Sequence, residues 1–176
     1  MNMKLFTPAI LLALVSIGAG CAADPLAGYT TSSQYRPNIK TVAVPIWSRG
    51  RKIYRRELET RLTEAIIKRI ELDTPYKVTT KARADTQLRG SIDSVGQRIL
   101  STVSSSGLAR ELEVTFTVSF VWEDLRNGQI ITEKKNFKVA ATYIPDEPQS
   151  EDFAIGSEDL INRLAGRVVE QMAQPW

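Results

Sequence analysis

The chain contains few residues with which an enzyme could work. Its 176 residues include no histidine and a single cysteine. Without histidine the chain cannot assemble a Ser-His-Asp or Cys-His nucleophile system, and histidine-based zinc sites are excluded as well. The carboxylates occur singly or in the first turns of predicted helices, and no glycine-rich phosphate-binding motif is present. We therefore predict that the protein is not an enzyme and that it binds no metal and no cofactor.

The most informative reactive side chain is the thiol of Cys21. Residues 1–20 carry a basic residue and then a short apolar run, which is the composition of a secretory signal peptide and is too short to span a bilayer. The run Gly18–Gly20 before the cysteine resembles a bacterial lipobox, although glycine stands where leucine is usual. A lone cysteine cannot form an internal disulfide. We expect Cys21 to be acylated, as palmitate labelling would detect. The alternative is cleavage nearby that leaves a free thiol.

Five cations precede or begin the first predicted helix, and they could bind an anion. They are Arg49, Arg51, Lys52, Arg55 and Arg56. Positive charge at a helix N-terminus opposes the macrodipole, and capping does not require it. Guanidinium groups bind phosphate bidentately, so we predict an anion site formed by these residues. The alternative is a solvated loop, which is the usual role of a run of charges.

The longest regular pattern in the chain is a strand over residues 111–123. Large apolar side chains occupy every even position, and mainly polar side chains occupy the odd positions. A period of two places each set on its own face, so one face is predicted to pack on the core and the other to face water or a partner. The apolar set is Leu112, Val114, Phe116, Val118, Phe120 and Trp122.

The dipeptide Asn127-Gly128 predicts that this strand continues into a hairpin. A two-residue type I′ turn would pair residues whose numbers sum to 255, and the apolar faces of both strands then coincide away from the turn. Near the turn, Phe120 is expected to oppose Lys135 and Trp122 to oppose Glu133, which would leave both aromatic side chains partly covered. The hairpin tip is therefore either a simple surface projection or a segment inserted into a partner.

Two helices and two further strands complete the predicted fold. Their order is a strand over 41–47 made irregular by Pro45, a helix over 54–72, a strand over 86–100 with a β-bulge near 94–96, the hairpin, and a final helix capped by Ser150; a short strand at 77–79 is an optional addition. We predict an α+β two-layer sandwich, with two helices on one face of a four-stranded mixed, mostly antiparallel sheet in the order β-α-β-β-β-α. The expected divisions are a signal peptide over 1–20, a lipidated tether over 21–38 and the domain over 39–176.

Several short motifs resemble those of LptE-type lipoproteins. They are the cysteine with small residues before it, Gly28-Tyr29, the run Ile39–Pro45, the helical run Leu58–Ile66 and the segment Ala84–Ile92. The resemblance covers the chain from Asn38 onward. It implies a lipoprotein with two helices on a mixed sheet that plugs and supports the LptD β-barrel and assists lipopolysaccharide assembly at the cell surface. No functional residue of the family is carried over.

The resemblance also gives the predicted sites their expected ligands. The localisation it implies is the periplasmic side of the outer membrane, since Ala22 rather than aspartate follows the cysteine. The implied partners are an LptD-like barrel, lipopolysaccharide at the five cations, and the membrane through the lipid, with no nucleic acid. The end of the hairpin, rather than the helix layer, is expected to enter the barrel, with Phe120, Trp122, Leu125, Lys134 and Lys135 as contact residues.

A second class of protein shares part of this pattern. A strand, a helix and an Ala-Asp-x-x-Leu-x-Gly segment also occur in the N-terminal domains of TolB-like and CsgG-like envelope proteins. The alternative function is therefore that of a lipid-anchored periplasmic binding module, which regulates an envelope enzyme or belongs to a secretion assembly.

Overall fold

The computed structural model describes residues 34–51, 53, 57–102, 109–143 and 152–173, and this part contains six strands and two helices. The strands are β1 (Thr41–Ala43), β2 (Ser48–Arg49), β3 (Lys77–Val78), β4 (Thr86–Thr102), β5 (Ala109–Asp124) and β6 (Ile130–Tyr143). The helices are α1 (Leu58–Asp73) and α2 (Asp152–Glu170), and one turn of 3₁₀-helix, Lys81–Arg83, lies between β3 and β4. The predicted signal peptide and Cys21 lie outside the described residues.

The strands form one mixed sheet in the order β3-β1-β4-β5-β6, with β2 pairing further along β4. β1 is parallel to β3 and β4, whereas β4, β5 and β6 are antiparallel. The prediction of an α+β fold with two helices and a mixed sheet is confirmed, but the predicted number of four strands is wrong. Pro45 has no N–H to donate to a ladder, and the first strand, predicted over 41–47, ends at Ala43; β2 lies just beyond the predicted strand.

The register of the hairpin follows the prediction in its far half and departs from it near the turn. Pairs from Leu112↔Tyr143 to Val118↔Phe137 sum to 255 as expected. Asn136 then adopts a left-handed conformation with φ of 53°. This β-bulge places one extra residue in β6, and its backbone N–H donates to Ser119 Oγ at 3.2 Å.

The predicted partners of the two aromatic residues near the turn are therefore wrong. Phe120 pairs with Lys134 rather than Lys135, and Trp122 pairs with Thr132 rather than Glu133. The turn itself is longer than a type I′ turn. Positive φ occurs at Gly128 but not at the residue before it, and the Gly128 N–H donates to the carbonyl oxygen at position 124 at 2.8 Å.

The predicted bulge in β4 is present, one residue before the expected segment. The register with β5 shifts between Ile92 and Ser94, so Asp93 is the extra residue. The shift brings Leu88 and Ile92 before the bulge, and Val95 after it, to the same face of the sheet, where they contact the core.

The core lies between the sheet and the two helices. Apolar residues at helical spacing on α1 and α2 are buried in it, as their periodicity predicts. They are Leu58, Leu62, Ile66, Ile70, Ile161, Leu164, Ala165, Val168, Val169 and Met172.

Phe120 and Trp122 belong to this core, and the prediction that they are partly covered is wrong. Their exposed fractions are 2% and 1%. Trp47 covers the first, with ring centroids 6.1 Å apart, and Tyr76 covers the second at 5.9 Å. Gly90 makes this arrangement possible, because a Cβ there would lie 2.8 Å from the ring of Trp47. The side chains that cover the hairpin thus come from segments distant in sequence.

Candidate functional site

The predicted anion site is described only in part. Arg49 ends β2, Arg51 follows that strand, and both are exposed, whereas Lys52, Arg55 and Arg56 lie outside the described residues. Arg49 Nη1 is 3.9 Å from a carboxylate oxygen of Glu59 in the first turn of α1. This carboxylate offsets part of the positive charge near the helix N-terminus.

The predicted partner-contact residues do not share one surface. Phe120 and Trp122 are buried, so their side chains are not accessible to a partner in this conformation. Leu125 is half-buried in the turn, and Lys134 and Lys135 are exposed on β6. Lys135 Nζ lies 3.0 Å from a carboxylate oxygen of the neighbouring Glu133. The β-bulge at Asn136, within β6, shifts the register of the hairpin here. Residues that are close in the hairpin therefore have different surroundings.

The face of the sheet opposite the helices carries a shallow cleft of about 410 Å³. We call this the polar sheet face and define it by Arg89, Ser91, Thr115, Thr117, Ser119, Val121, Glu133, Lys135 and Lys138. The exposed side chain of Ile46 lies at the rim of the cleft. Two residues of β6 are not part of this definition: Asn136 lies in the bulge, and Lys134 pairs with the core residue Phe120.

Hydrogen bonds and ion pairs order the side chains of the polar sheet face. The bulged Asp93 accepts hydrogen bonds from Ser91 Oγ at 2.8 Å and from Ser119 Oγ at 2.6 Å. Arg89 Nη2 lies 3.2 Å from a carboxylate oxygen of Glu123. The face therefore presents donors, acceptors and charges of both signs, which suit a binding surface. Within the described ranges, no group of three or more His, Cys, Asp or Glu is arranged to hold a metal ion.

A second polar cluster joins the hairpin turn to the beginning of the domain, and sequence reasoning missed it. The backbone N–H groups of Lys40 and Thr41 donate to Asp85 Oδ2 at 2.9 and 3.0 Å. These hydrogen bonds, with that of Lys40 the strongest cause, hold the pKa of Asp85 below its ordinary value of 3.8. The carbonyl oxygen of Asp85 accepts the N–H of Leu125 at 2.8 Å. The only signal for Asp85 in the sequence was its position just before β4, within the Ala-Asp-x-x-Leu-x-Gly segment.

Asp124 and Arg126 complete this cluster. Arg126 donates through Nε to Asp124 Oδ1 at 3.0 Å and through Nη2 to Oδ2 at 2.6 Å. The guanidinium group lowers the pKa of Asp124, and the carboxylate raises that of Arg126. Arg126 Nη1 also donates to the carbonyl oxygen of Asn38 at 2.9 Å. The hairpin turn is thereby fastened to the segment that leads into β1.

No helix in the described ranges combines the length and the apolar character needed to cross a bilayer. The described part is thus a two-layer α+β domain with a polar sheet face opposite its helices. Solved structures share this fold. Rare lipoprotein B from Shewanella oneidensis has 20% sequence identity and a TM-score of 0.51, over 76% of this chain and 93% of that one. A hypothetical protein from Chlamydia trachomatis has 11% identity and a TM-score of 0.50, over 76% of this chain and 98% of that one.

The family is shown by its sequence model. The model of the LptE family, described as lipopolysaccharide-assembly, matches residues 39–174. The chain belongs to the LptE family, as its motifs predicted, and the role of this family in lipopolysaccharide assembly is not catalytic. A comparison with curated proteins gives no match.

Proposed function

We propose that this protein is an outer-membrane lipoprotein, acylated at Cys21, that occupies and supports an LptD-like β-barrel and so assists lipopolysaccharide assembly at the cell surface. Family membership over residues 39–174 supports the pathway. The observation that carries the binding mode is the polar sheet face, which is broad, ordered and rich in charges of both signs. The lumen of a membrane β-barrel is polar, so a plug needs a surface of this kind rather than an apolar patch.

We assign the barrel contact to the polar sheet face rather than to the hairpin tip. The tip lies beside the beginning of the domain, because Arg126 donates to the carbonyl oxygen of Asn38 and Leu125 donates to that of Asp85. If the tip entered the lumen first, the beginning of the domain, and with it the proposed lipid tether, would have to enter as well. The sheet face meets no such conflict, since it extends along the full length of the strands.

A photo-crosslinking scan in cells tests this assignment. Crosslinking residues are introduced at exposed or half-buried positions of three surfaces. They are Thr115, Val121 and Lys138 on the polar sheet face, Leu125 and Gln129 at the tip, and Glu64, Lys68 and Arg163 on the helices. We expect adducts with a large barrel from the sheet positions. Adducts from the helix positions alone would refute the orientation, and recovery of an envelope enzyme or secretion ring instead of a barrel would refute the function.

The five cations near α1 are the proposed lipopolysaccharide contact. Guanidinium groups recognise phosphate through paired hydrogen bonds. Replacing Arg49, Arg51 and Arg55 with glutamine should weaken binding to purified lipopolysaccharide by about tenfold or more, because the loss of even one hydrogen bond between charged groups costs roughly 1.5–3 kcal/mol. The control removes the same charge elsewhere, through glutamine at Lys68, Lys134 and Lys138. Equal loss in both triple variants would show that net charge, not this site, governs binding.

A further inference from the structure

Several elements of the domain converge at one end of the sheet, which we call the tether end. β4 begins there at Thr86, and the parallel strands β1 and β3 begin beside it. The hairpin turn joins them, since the N–H of Leu125 donates to the carbonyl oxygen of Asp85. α2 ends close by, where the carbonyl oxygen of Gln171 lies 3.4 Å from Thr132 Oγ1.

The chain also enters the domain at the tether end. Tyr35 packs edge-to-face on Tyr76, with ring centroids 5.6 Å apart, and the N–H of Arg36 donates to the Tyr76 hydroxyl at 2.9 Å. Tyr76 precedes β3 directly. Residues 34–39 therefore lie on the domain, and only the 12 residues 22–33 separate them from Cys21.

Two large apolar side chains are exposed at this end. Leu72, in the last turn of α1, is 68% exposed, and Ile130, at the start of β6, is 54% exposed. Leu72 lies two residues after Ile70, the last buried residue of the helix, and so on the side away from the core, and Ile130 follows the hairpin turn directly. Neither side chain is needed by the core.

The tether end also carries unpaired positive charge. Lys40, Lys77, Lys81 and Arg83 are exposed, and none of them forms an ion pair with any residue in the described ranges. Two of the carboxylates nearby are paired, Asp124 with Arg126 and Asp73 with Arg69. Asp85, which accepts backbone N–H groups, and the exposed Glu71 beside Leu72 form no ion pair within the described ranges. The four cations outnumber these two carboxylates, so the local surface is positive.

We propose that the tether end lies against the anionic phospholipid headgroups of the membrane, with Leu72 and Ile130 in contact with the bilayer interface and the four cations on its phosphates. This inference rests on the acylation of Cys21 proposed above. Twelve residues reach at most about 40 Å, so acylation of Cys21 attaches the domain to the membrane through the tether end. Basic residues near a lipid anchor add an electrostatic attraction to anionic headgroups.

The opposite end of the sheet provides an internal control. Ile99 and Leu100 are 58% and 40% exposed in the far part of β4. They lie about 40 Å from the start of that strand, at about 3.3 Å for each residue. Exposed apolar side chains therefore occur to a similar extent at both ends of the sheet, whereas the chain enters the domain only at the tether end.

Depth-dependent quenching in vesicles tests the proposal. Full-length mature protein, with acylated Cys21 verified by mass spectrometry, is reconstituted into vesicles of phosphatidylethanolamine and phosphatidylglycerol, without lipopolysaccharide or barrel. A fluorophore is placed through Leu72→Cys or Lys81→Cys, and in the controls through Ile99→Cys or Lys138→Cys. The quencher is a nitroxide on the lipid headgroup. We expect quenching about threefold stronger at positions 72 and 81 than at the controls, because a headgroup nitroxide quenches only fluorophores held close to the surface, where the attraction of the cations to the headgroups acts.

Two further arms make the outcome decisive. Glutamine at the four cations, or phosphatidylcholine in place of phosphatidylglycerol, should reduce quenching at position 72, whereas glutamine at Lys134 and Lys138 should not. Equal quenching at all four labelled positions, stronger quenching at position 99, no quenching, or a chain not acylated at Cys21 would each overturn the proposal. Because the vesicles contain neither lipopolysaccharide nor barrel, these results are independent of the crosslinking test of the proposed function.

Discussion

The contact between Gly90 and Trp47 predicts a large and local effect of adding one methyl group. An added Cβ at position 90 would lie 2.8 Å from three atoms of the Trp47 ring, against the roughly 3.5–4.0 Å of an ordinary carbon contact. The ring has little room to retreat. Trp47 is 2% exposed, and its backbone N–H donates to Thr63 Oγ1 on α1 at 3.0 Å. Gly90→Ala must therefore displace α1 or the side chain of Phe120 to make room for the ring.

The size of this effect can be worked out against a second glycine of the same strand. Overpacking a core costs about 1–3 kcal/mol, while replacing glycine by alanine recovers about 0.4–1 kcal/mol by restricting the unfolded chain. At Gly96, no atom lies within 4 Å of the added Cβ, so only the second contribution applies. The two alanine variants should therefore differ by about 2 kcal/mol in free energy of unfolding, and by about 4–8 °C in Tm for a domain of this size.

Urea unfolding followed by tryptophan fluorescence is the appropriate assay. The midpoint should fall for Gly90→Ala and rise slightly for Gly96→Ala, with the same m value, because neither variant changes the surface exposed on unfolding. In a Trp47→Leu background, Gly90→Ala should cost nothing further, since the ring that it meets is gone. If Gly90→Ala were as stable as Gly96→Ala, the reasoning about this contact would be refuted.

Three further predictions concern the polar cluster and the bulge. Stability should be constant above the ordinary aspartate pKa of 3.8 and fall as pH drops through the lowered folded-state values, because Asp85 and Asp124 bind protons more readily when unfolded. Asp85→Asn should flatten this acid limb in urea titrations between neutral and acidic pH; an unchanged limb would assign it to other groups. Arg126→Gln should speed amide hydrogen exchange at Asn38–Lys40 but not in α2; unchanged exchange would contradict the fastening role of Arg126. Asn136→Ala should cost about 1 kcal/mol in thermal unfolding, because alanine tolerates positive φ poorly, whereas Asn136→Gly should not; equal stability of the two would contradict the bulge.

Local periodicity predicted the parts of the fold that depend on neighbouring residues. The stripe of α1 from Leu58 to Ile70, that of α2 and the turn after it from Ile161 to Met172, and the even positions of β5 from Leu112 to Val118 are all buried as expected. The bulge in β4 was also predictable, because the change of phase after Ile92 is visible in the sequence. Each of these features follows from a repeat of 3.6 or 2 along a single segment.

Features that depend on distant segments were not predictable in the same way. The bulge at Asn136 is held by the hydroxyl of Ser119, and the cover of Phe120 comes from Trp47 on another part of the chain. A cluster of charges formed by folding was not predictable either. The cations of the tether end come from Lys40, Lys77 and the turn Lys81–Arg83, which only the parallel pairing of β1 with β3 and β4 brings together.

The two faces of the sheet have different roles. One packs on the core, and the polar sheet face can exchange one partner for another at little cost to the fold. All the large side chains at the even positions of β5 are used in the core, so most of the apolar burial that stabilises the domain lies on the other face of the sheet. The ion pair of Lys135 with Glu133 is exposed and that of Arg89 with Glu123 is partly exposed, and such pairs contribute little because water competes for both charges. A partner that offers its own charges can replace them at small cost. Phe120 and Trp122 could anchor a partner only by leaving the core, and the plug would then lose two of its buried aromatic side chains in order to bind.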